Sequence, residues 1–277
     1  MASDSAPARV LILGAHPDDA EVFAGGMLVR HCNRGSKVRV VSVTDGRSGH
    51  HEMPTQELIQ TRRQEGERAA ATAGAEFRLW DFHDGSLMPD MQVRSRIIRE
   101  IREFEPDLVL THRTNDYHPD HRAVGLAVQD ASYMVTVPKV CPDTAALRKD
   151  PIVAFMPDLF TRPNAMRPDV ILDVTAEFPK LIQVAACHAS QFFEWLAYHD
   201  GVLAEVPEGA DARQQWLQGE FSKLHESRQA HFIRQYPELA KLFSDRLEVF
   251  EVSEYARQPN ACDMEKLFPS ALSKPAG

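Results

Sequence analysis

Cysteine is scarce and scattered in this sequence. Its four residues, Cys32, Cys141, Cys187 and Cys262, form no C-x-x-C pair, which argues against a zinc ribbon or a disulfide framework. Long apolar runs are missing as well. No stretch of 18 apolar residues occurs, so no membrane-spanning helix is expected. Residues 1–9 lack the apolar centre of a secretory leader. Together these absences read as a soluble protein of a reducing, cytoplasmic compartment, with no membrane partner. Long basic runs are missing too, and the net charge is −9, which sets aside sequence-independent nucleic-acid binding. The one row of cations, Arg94, Arg96, Arg99 and Arg102, has helical spacing and reads as a solvated helix face.

What is present is an ordinary globular composition, 43% hydrophobic and 26% charged over 277 residues. A chain of this length buries a large core without disulfide or metal staples. Any metal it binds is then there for chemistry. Short apolar runs at 10–13, 38–43 and 108–111 suit strands buried on both faces of a parallel sheet. Helical patterns fill the gaps, over 23–33, 55–73 and 91–104. The last of these places Val93, Ile97, Ile98 and Ile101 on one stripe. This alternation predicts an α/β fold, a Rossmann-like, mostly parallel sheet flanked by helices.

The second half is more elaborate. A proline-rich excursion over 138–168 holds one short strand at 152–155. A strand follows at 169–173, long helices at 176–199 and 211–235, and a late strand at 247–252. The chain reads as one domain over 1–277, with 1–8 flexible and 253–277 a C-terminal extension.

Two strand ends carry chemistry. The first run stops at Gly14 and leads into Ala15-His16-Pro17-Asp18-Asp19. In open α/β sheets such positions stand at the binding crevice. Adjacent carboxylates repel when buried, and a divalent cation offsets that cost. His16 and Asp19 are suitable zinc ligands, which leaves Asp18 free to take a proton from water. The competing reading is a helix N-terminus, with one of the aspartates as its cap. The second strand end leads into His112 and then Asp116-Tyr117-His118-Pro119-Asp120-His121. If Pro119 opens a helix, His118 and His121 can face the same crevice. Three protein ligands and an open position form the pattern of a catalytic zinc.

These strings, in this order, resemble the LmbE/PIG-L family of metal-dependent N-deacetylases. Ala15 to Asp19, with Glu21 and Gly25-Gly26, resembles the family's first signature, and His118 to Arg122 its second. Thr44 to Arg47, Arg62-x-x-Glu65, Asp84-Gly85 and His188 to Gln191 resemble the intervening and later motifs. The likeness spans about residues 9–192. It implies that His16, Asp19 and His121 hold Zn2+, or another divalent metal such as Fe2+. It implies Asp18 as general base and His118 as oxyanion stabiliser or acid, with Asp120 orienting His118. Arg47 would grip substrate hydroxyls, and His188 would line the pocket. The implied partner is a small N-acylated amino sugar. A thiol-conjugate or other N-acyl amide is the alternative.

Two other classes remain as expectations to test. His16 and Asp18 with a distant His121 would also satisfy a non-haem iron oxygenase, with Asp18 as the ligand. A nucleotide-binding module would fit the sheet, but no G-x-G-x-x-G follows the first strand. Exposed helix faces allow a homo-oligomer.

Overall fold

The computed structural model describes residues 7–272. In chain order the principal elements are β1 (Arg9–Gly14), α1 (Asp19–Asn33), β2 (Lys37–Thr44), α2 (Thr55–Ala73), β3 (Glu76–Phe82), α3 (Met91–Phe104), β4 (Leu108–Thr111) and α4 (Pro119–Met134). Then come β5 (Ile152–Phe155), β6 (Val170–Asp173), α5 (Phe178–Ala185), a π-helix (Ser190–Trp195), α6 (Leu196–His199), α7 (Ala210–Gln235), β7 (Leu247–Val252) and α8 (Ala261–Leu267).

The seven strands form one sheet in the order β3-β2-β1-β4-β5-β7-β6. The first five are parallel, and β7 runs antiparallel to both of its neighbours. The predicted α/β architecture is therefore the observed one. The strand period of two explains the apolar runs. Val10 and Ile12 of β1 enter one core cluster, with Met27 and Leu28 of α1. Leu11 and Leu13 enter the other, with Ile97 of α3 and Val124 of α4. A strand covered on both faces cannot alternate with polar residues.

The strand order reverses between β1 and β4. Ligands of open α/β sheets bind beyond the carboxyl ends of the strands at such a reversal. Here Leu13 and Thr111 are register partners. The residues that follow, Gly14 onward and His112 onward, therefore emerge side by side. Gly14 has a steric reason to be glycine, because an added Cβ would lie 2.7 Å from Asp19 Cβ.

Two local expectations are corrected. The row of arginines is not uniformly solvated. Arg94, Arg96 and Arg99 pair with exposed or half-buried aspartates. Arg102, by contrast, is 4% exposed and donates to the carbonyls of Met134, Val135, Val137, Val140, Cys141 and Thr144. That irregular segment has no ladder to satisfy its carbonyls, and a buried guanidinium supplies the donors. The single helix expected over 176–199 is broken at 186–189, and its second part is a π-helix. The Ser190 N–H, at the start of the π-helix where no intrahelical acceptor exists, donates to Glu65 Oε1 at 2.7 Å.

At the N-terminus, flexibility was expected over 1–8. Residues 1–6 lie outside the described residues, while Ala8 is buried. Its N–H donates to Ser36 Oγ, Ser36 Oγ meets His31 Nδ1, and His31 Nε2 donates to the carbonyl of Leu267. This chain of bonds ties the first strand to α8. Leu267 and Phe268 share a core cluster with Val10 and Ile12. Of the C-terminal segment, residues 273–277 lie outside the described residues. No helix among the described residues is long and apolar enough to cross a membrane.

Candidate metal centre

The turn after β1 is set by backbone-to-carboxylate bonding. Asp19 Oδ2 accepts from the His16 N–H at 2.7 Å and from His112 Nε2 at 2.9 Å. This turns the Asp19 carboxylate inward. Asp18 occupies the N-cap position of α1 but makes no side-chain cap bond. Its Oδ1 instead accepts from Arg62 Nη2 at 2.9 Å. The simple capping reading of the two aspartates therefore does not hold.

The turn after β4 is set by Asp116. Its Oδ1 accepts from the His118 N–H at 2.8 Å, and its Oδ2 lies 3.1 Å from His121 Nδ1. Pro119 stands at the first helical position of α4, where its missing N–H costs nothing. His121 then projects from the first turn toward β1.

The two turns meet. His121 Nε2 lies 3.2 Å from His16 Nδ1 and 3.5 Å from Asp19 Oδ1. His16 Nδ1 lies 3.5 Å from Asp19 Oδ2. On its other side His16 Nε2 faces Asp84 Oδ1 at 3.3 Å and Asp120 Oδ2 at 3.5 Å. Donor atoms also cluster within 4.8 Å of one another in three overlapping sets: His16, His118 and His121; Asp19, His112 and His121; and His16, Asp84 and Asp120.

Tautomers decide whether a cation suits this centre. The carboxylate of Asp116 favours a proton on Nδ1 of His121, and those of Asp84 and Asp120 favour one on Nε2 of His16. Two imidazole lone pairs then face each other beside a carboxylate. That arrangement is repulsive unless a cation or a proton lies between them. The donor set, two neutral imidazoles and one carboxylate with the other ring nitrogens held by carboxylates, fits a divalent ion of the zinc type. Asp19, and not Asp18, is the carboxylate beside both histidines, which weighs against the oxygenase arrangement that needs Asp18.

Protonation follows the same charges. Burial works against protonation of His16, yet the Asp19 charge and bonds to Asp120, Asp19 and Asp84 raise its pKa well above the usual histidine value. Burial also opposes protonation of His121, but Asp19 and Asp116 push it up to about 9. Asp19 would be raised by burial, but His121, His112 and His16 hold it well below the ordinary carboxylate range. Burial, with the neighbouring His121 charge, pushes His112 down to about 4, so it stays a neutral donor to Asp19.

Beside the cluster lies a cleft of about 420 Å³. Asp18, Asp84, His118 and Arg62 line it from the sheet side. Gly46, Ser48 and Gly49 come from the loop after β2, and Gln191, Trp195 and Leu196 form the far wall. His118 is exposed at the rim, its ring centroid 4.8 Å from that of His16 and 4.5 Å from that of His121. Burial and the charges of His121 and His16 lower its pKa.

Three expected positions are used differently. Asp120 does not bond to the His118 ring. Its Oδ2 accepts from the Gly85 N–H at 2.6 Å and its Oδ1 from the Leu87 N–H at 3.1 Å, with His16 alongside. Arg47 does not line the cleft, because its fork is folded onto Asp45. His188 is fully buried, lies 3.5 Å from Glu21 Oε2 and is absent from the cleft wall. Gln191, one turn further on, occupies the place expected of it. Sequence reasoning gave no role to His112, Asp84, Asp116 or Arg62. The signal available for His112 was its position directly after a buried strand. For Arg62 it was an i,i+3 pairing with Glu65.

Comparison with known proteins agrees with this geometry. Residues 11–132, which contain both turns, match the family model described as PIG-L, GlcNAc-PI de-N-acetylase. The chain is 28% identical over 198 residues to a 4-oxalmesaconate hydratase of Pseudomonas putida, covering 68% of this chain and 76% of that protein. It is 27% identical over 193 residues to a diacetylchitobiose deacetylase of Thermococcus kodakarensis, covering 67% and 71%. In fold it is similar to the N,N'-diacetylchitobiose deacetylase of Pyrococcus horikoshii. That match has a TM-score of 0.68 at 21% identity, over 90% of this chain and 85% of that one. Residues 11–132, with both strand-end motifs, are thus a PIG-L-type segment, and the chain as a whole is similar to proteins of the PIG-L/LmbE family.

Proposed function

We propose that this protein is a zinc-dependent N-deacetylase acting on an N-acetylated amino-sugar substrate, with Asp18 as general base. The observation that carries the reading is the meeting of His16, Asp19 and His121 with Asp18 beside them, on the cleft side of the cluster. In this reading His16, Asp19 and His121 hold the ion. When bound, zinc supplies Lewis acidity and makes water a nucleophile near neutral pH.

The residues then have distinct tasks. Arg62 binds Asp18 Oδ1 and so points the remaining carboxylate oxygen at the cleft, where it accepts a proton from the attacking water. His118, a neutral imidazole at the rim, donates a hydrogen bond to the developing oxyanion, and Asp18 passes the proton it took from water to the departing amine. Asp116 and His112 hold His121 and Asp19 in place. Asp120 and Asp84 fix the tautomer of His16. Asp84 also faces the cleft, where a carboxylate can accept from sugar hydroxyls. The amide C–N bond breaks, and acetate and the free amine leave. The chain acts as one catalytic domain, with α8 as a packed extension.

A hydratase reading has behind it the likeness to hydratases of Pseudomonas putida, in sequence and in fold. The cleft speaks against a substrate rich in carboxylates. Asp18, Asp19 and Asp84 line it, and its one buried guanidinium, Arg62, is already shared between Asp18 and Glu65. The deciding assay follows amine release from N-acetylglucosamine, N,N'-diacetylchitobiose and N-acyl thiol conjugates, with and without chelator, beside hydration of 4-oxalmesaconate. Chelator-sensitive amine release from the sugars is the expected result. Hydration without amine release would replace this reading, and release from thiol conjugates alone would move the substrate class.

A further inference from the structure

The buried polar groups behind the cleft form a second system that the proposed chemistry does not use directly. Arg62 is 1% exposed and Glu65 is 1% exposed. They sit one turn apart on α2, a helix whose outer face is solvated. Arg62 reaches Asp18 Oδ1 at 2.9 Å with one arm and Glu65 Oε2 at 3.3 Å with the other. Glu65 then accepts from the Ser190 N–H at 2.7 Å through Oε1 and from Ser190 Oγ at 2.6 Å through Oε2. Ser190 opens the π-helix that carries Gln191 and Trp195 into the cleft wall. One carboxylate thus joins the side chain of Asp18 to the wall opposite it.

We propose that Glu65 is a positioning residue with two arms, one acting through Arg62 on Asp18 and the other through Ser190 on the Gln191–Trp195 wall. The inference rests on the reading of Asp18 as general base for the first arm only. The physical case is one of cost. A buried, fully paired carboxylate is expensive to maintain, and a helix core position on α2 could be filled by an apolar residue. Glu65 gives Arg62 a second anchor, so the guanidinium cannot swing to take both oxygens of Asp18. It also accepts from the Ser190 N–H, one of the donors left unpaired at the start of the π-helix, and so anchors the first residue of that helix. Such turns recur at functional sites because they re-aim side chains.

The test separates the two arms. In Glu65→Gln an amide replaces the oxygen that faces Arg62, while the Ser190 N–H keeps an acceptor. The expected result is a fall in kcat of about tenfold or more, the size of one lost hydrogen bond between charged groups. KM and metal content should be nearly unchanged. Glu65→Asp keeps the charge and should recover part of the kcat loss. Ser190→Ala removes the Oγ bond of the other arm and keeps the N–H bond to Oε1; it should raise KM more than it lowers kcat. The second readout needs no substrate. The chain has three tryptophans, Trp80, Trp195 and Trp216, which 5-fluorotryptophan labelling resolves by 19F NMR, with Trp195→Phe for assignment. Ser190→Ala should displace the Trp195 signal and leave that of Trp80 in place. A Glu65→Gln protein with wild-type kcat, or Glu65→Asp no better than Glu65→Gln, overturns the first arm. An unmoved Trp195 signal overturns the second. If the wild type releases no amine from any N-acyl sugar, the deacetylase reading and with it the first arm fall. The Trp195 signal then decides the second arm alone.

Discussion

His16 Nδ1 lies 3.2 Å from His121 Nε2 across 105 positions of sequence. The proximity follows from the pairing of Leu13 with Thr111 in neighbouring parallel strands, which delivers two turns to the same point at the reversal of strand order. Both imidazoles bring a ring nitrogen to that point while carboxylates lie on their far sides.

The first prediction concerns the ion. Zinc at a hundred times its Kd should stabilise the native protein by about 2.7 kcal/mol, read as a rise in melting temperature that chelator reverses. His121→Ala should abolish both the rise and the bound zinc found by elemental analysis. A variant that still binds one zinc per chain would remove His121 from the ligand set.

The second concerns proton transfer. Asp18→Asn keeps the shape of the side chain and a partner for Arg62 but cannot accept a proton. It should retain metal and lose about 10²–10⁴-fold in turnover, the usual worth of a general base. Near wild-type turnover would remove Asp18 from that role.

The third concerns support of a ligand. Asp116 holds the His121 ring through Nδ1 and the following turn through the His118 N–H. Asp116→Ala should weaken zinc binding by about 10–100-fold, measured by competition with a chelator of known affinity. Unchanged affinity would mean that the turn is fixed by Pro119 and helix packing alone.

The fourth concerns acid stability. Burial is the main cause that pushes His31 down to about 4, and likewise His225 down to about 3. An unfolded histidine takes up its proton near 6.5, so the unfolded chain binds more protons than the folded one below that pH. Stability is therefore lost as pH falls from about 6.5 toward 4. For His31 alone the loss is worth roughly 3 kcal/mol. Glu248, raised by burial to about 7, runs the other way: its contribution is greatest at low pH and fades as pH rises toward 7. The two are separated by comparing denaturant unfolding of wild type and His31→Gln from pH 7 to 4. The difference between them should shrink as pH falls, and a constant difference would contradict the assignment.

Much of this was legible in the sequence. Apolar runs such as Val10–Leu13 and Leu108–Thr111 announced strands covered on both faces. The residues after them, His16 with Asp19 and His118 with His121, announced a centre between two strand ends. What the sequence could not show was the choice each side chain makes among neighbours that folding supplies. Arg102 looks like its solvated neighbours until the carbonyls of residues 134–144 gather around it. His188 resembles a pocket residue, but the break before Ser190 turns it inward and brings Gln191 to the cleft. Asp120 is spoken for by the N–H groups of Gly85 and Leu87, which no spacing rule reveals.

One divalent ion is proposed to join the turns after β1 and β4. Crystals grown with zinc, with anomalous data at the zinc edge, test it most directly. The expected result is one strong site per chain, with His16 Nδ1, His121 Nε2 and an Asp19 oxygen at about 2.0–2.2 Å and Asp18 outside the coordination shell. A site elsewhere in the molecule, or a shell that takes Asp18 in place of Asp19, would contradict it.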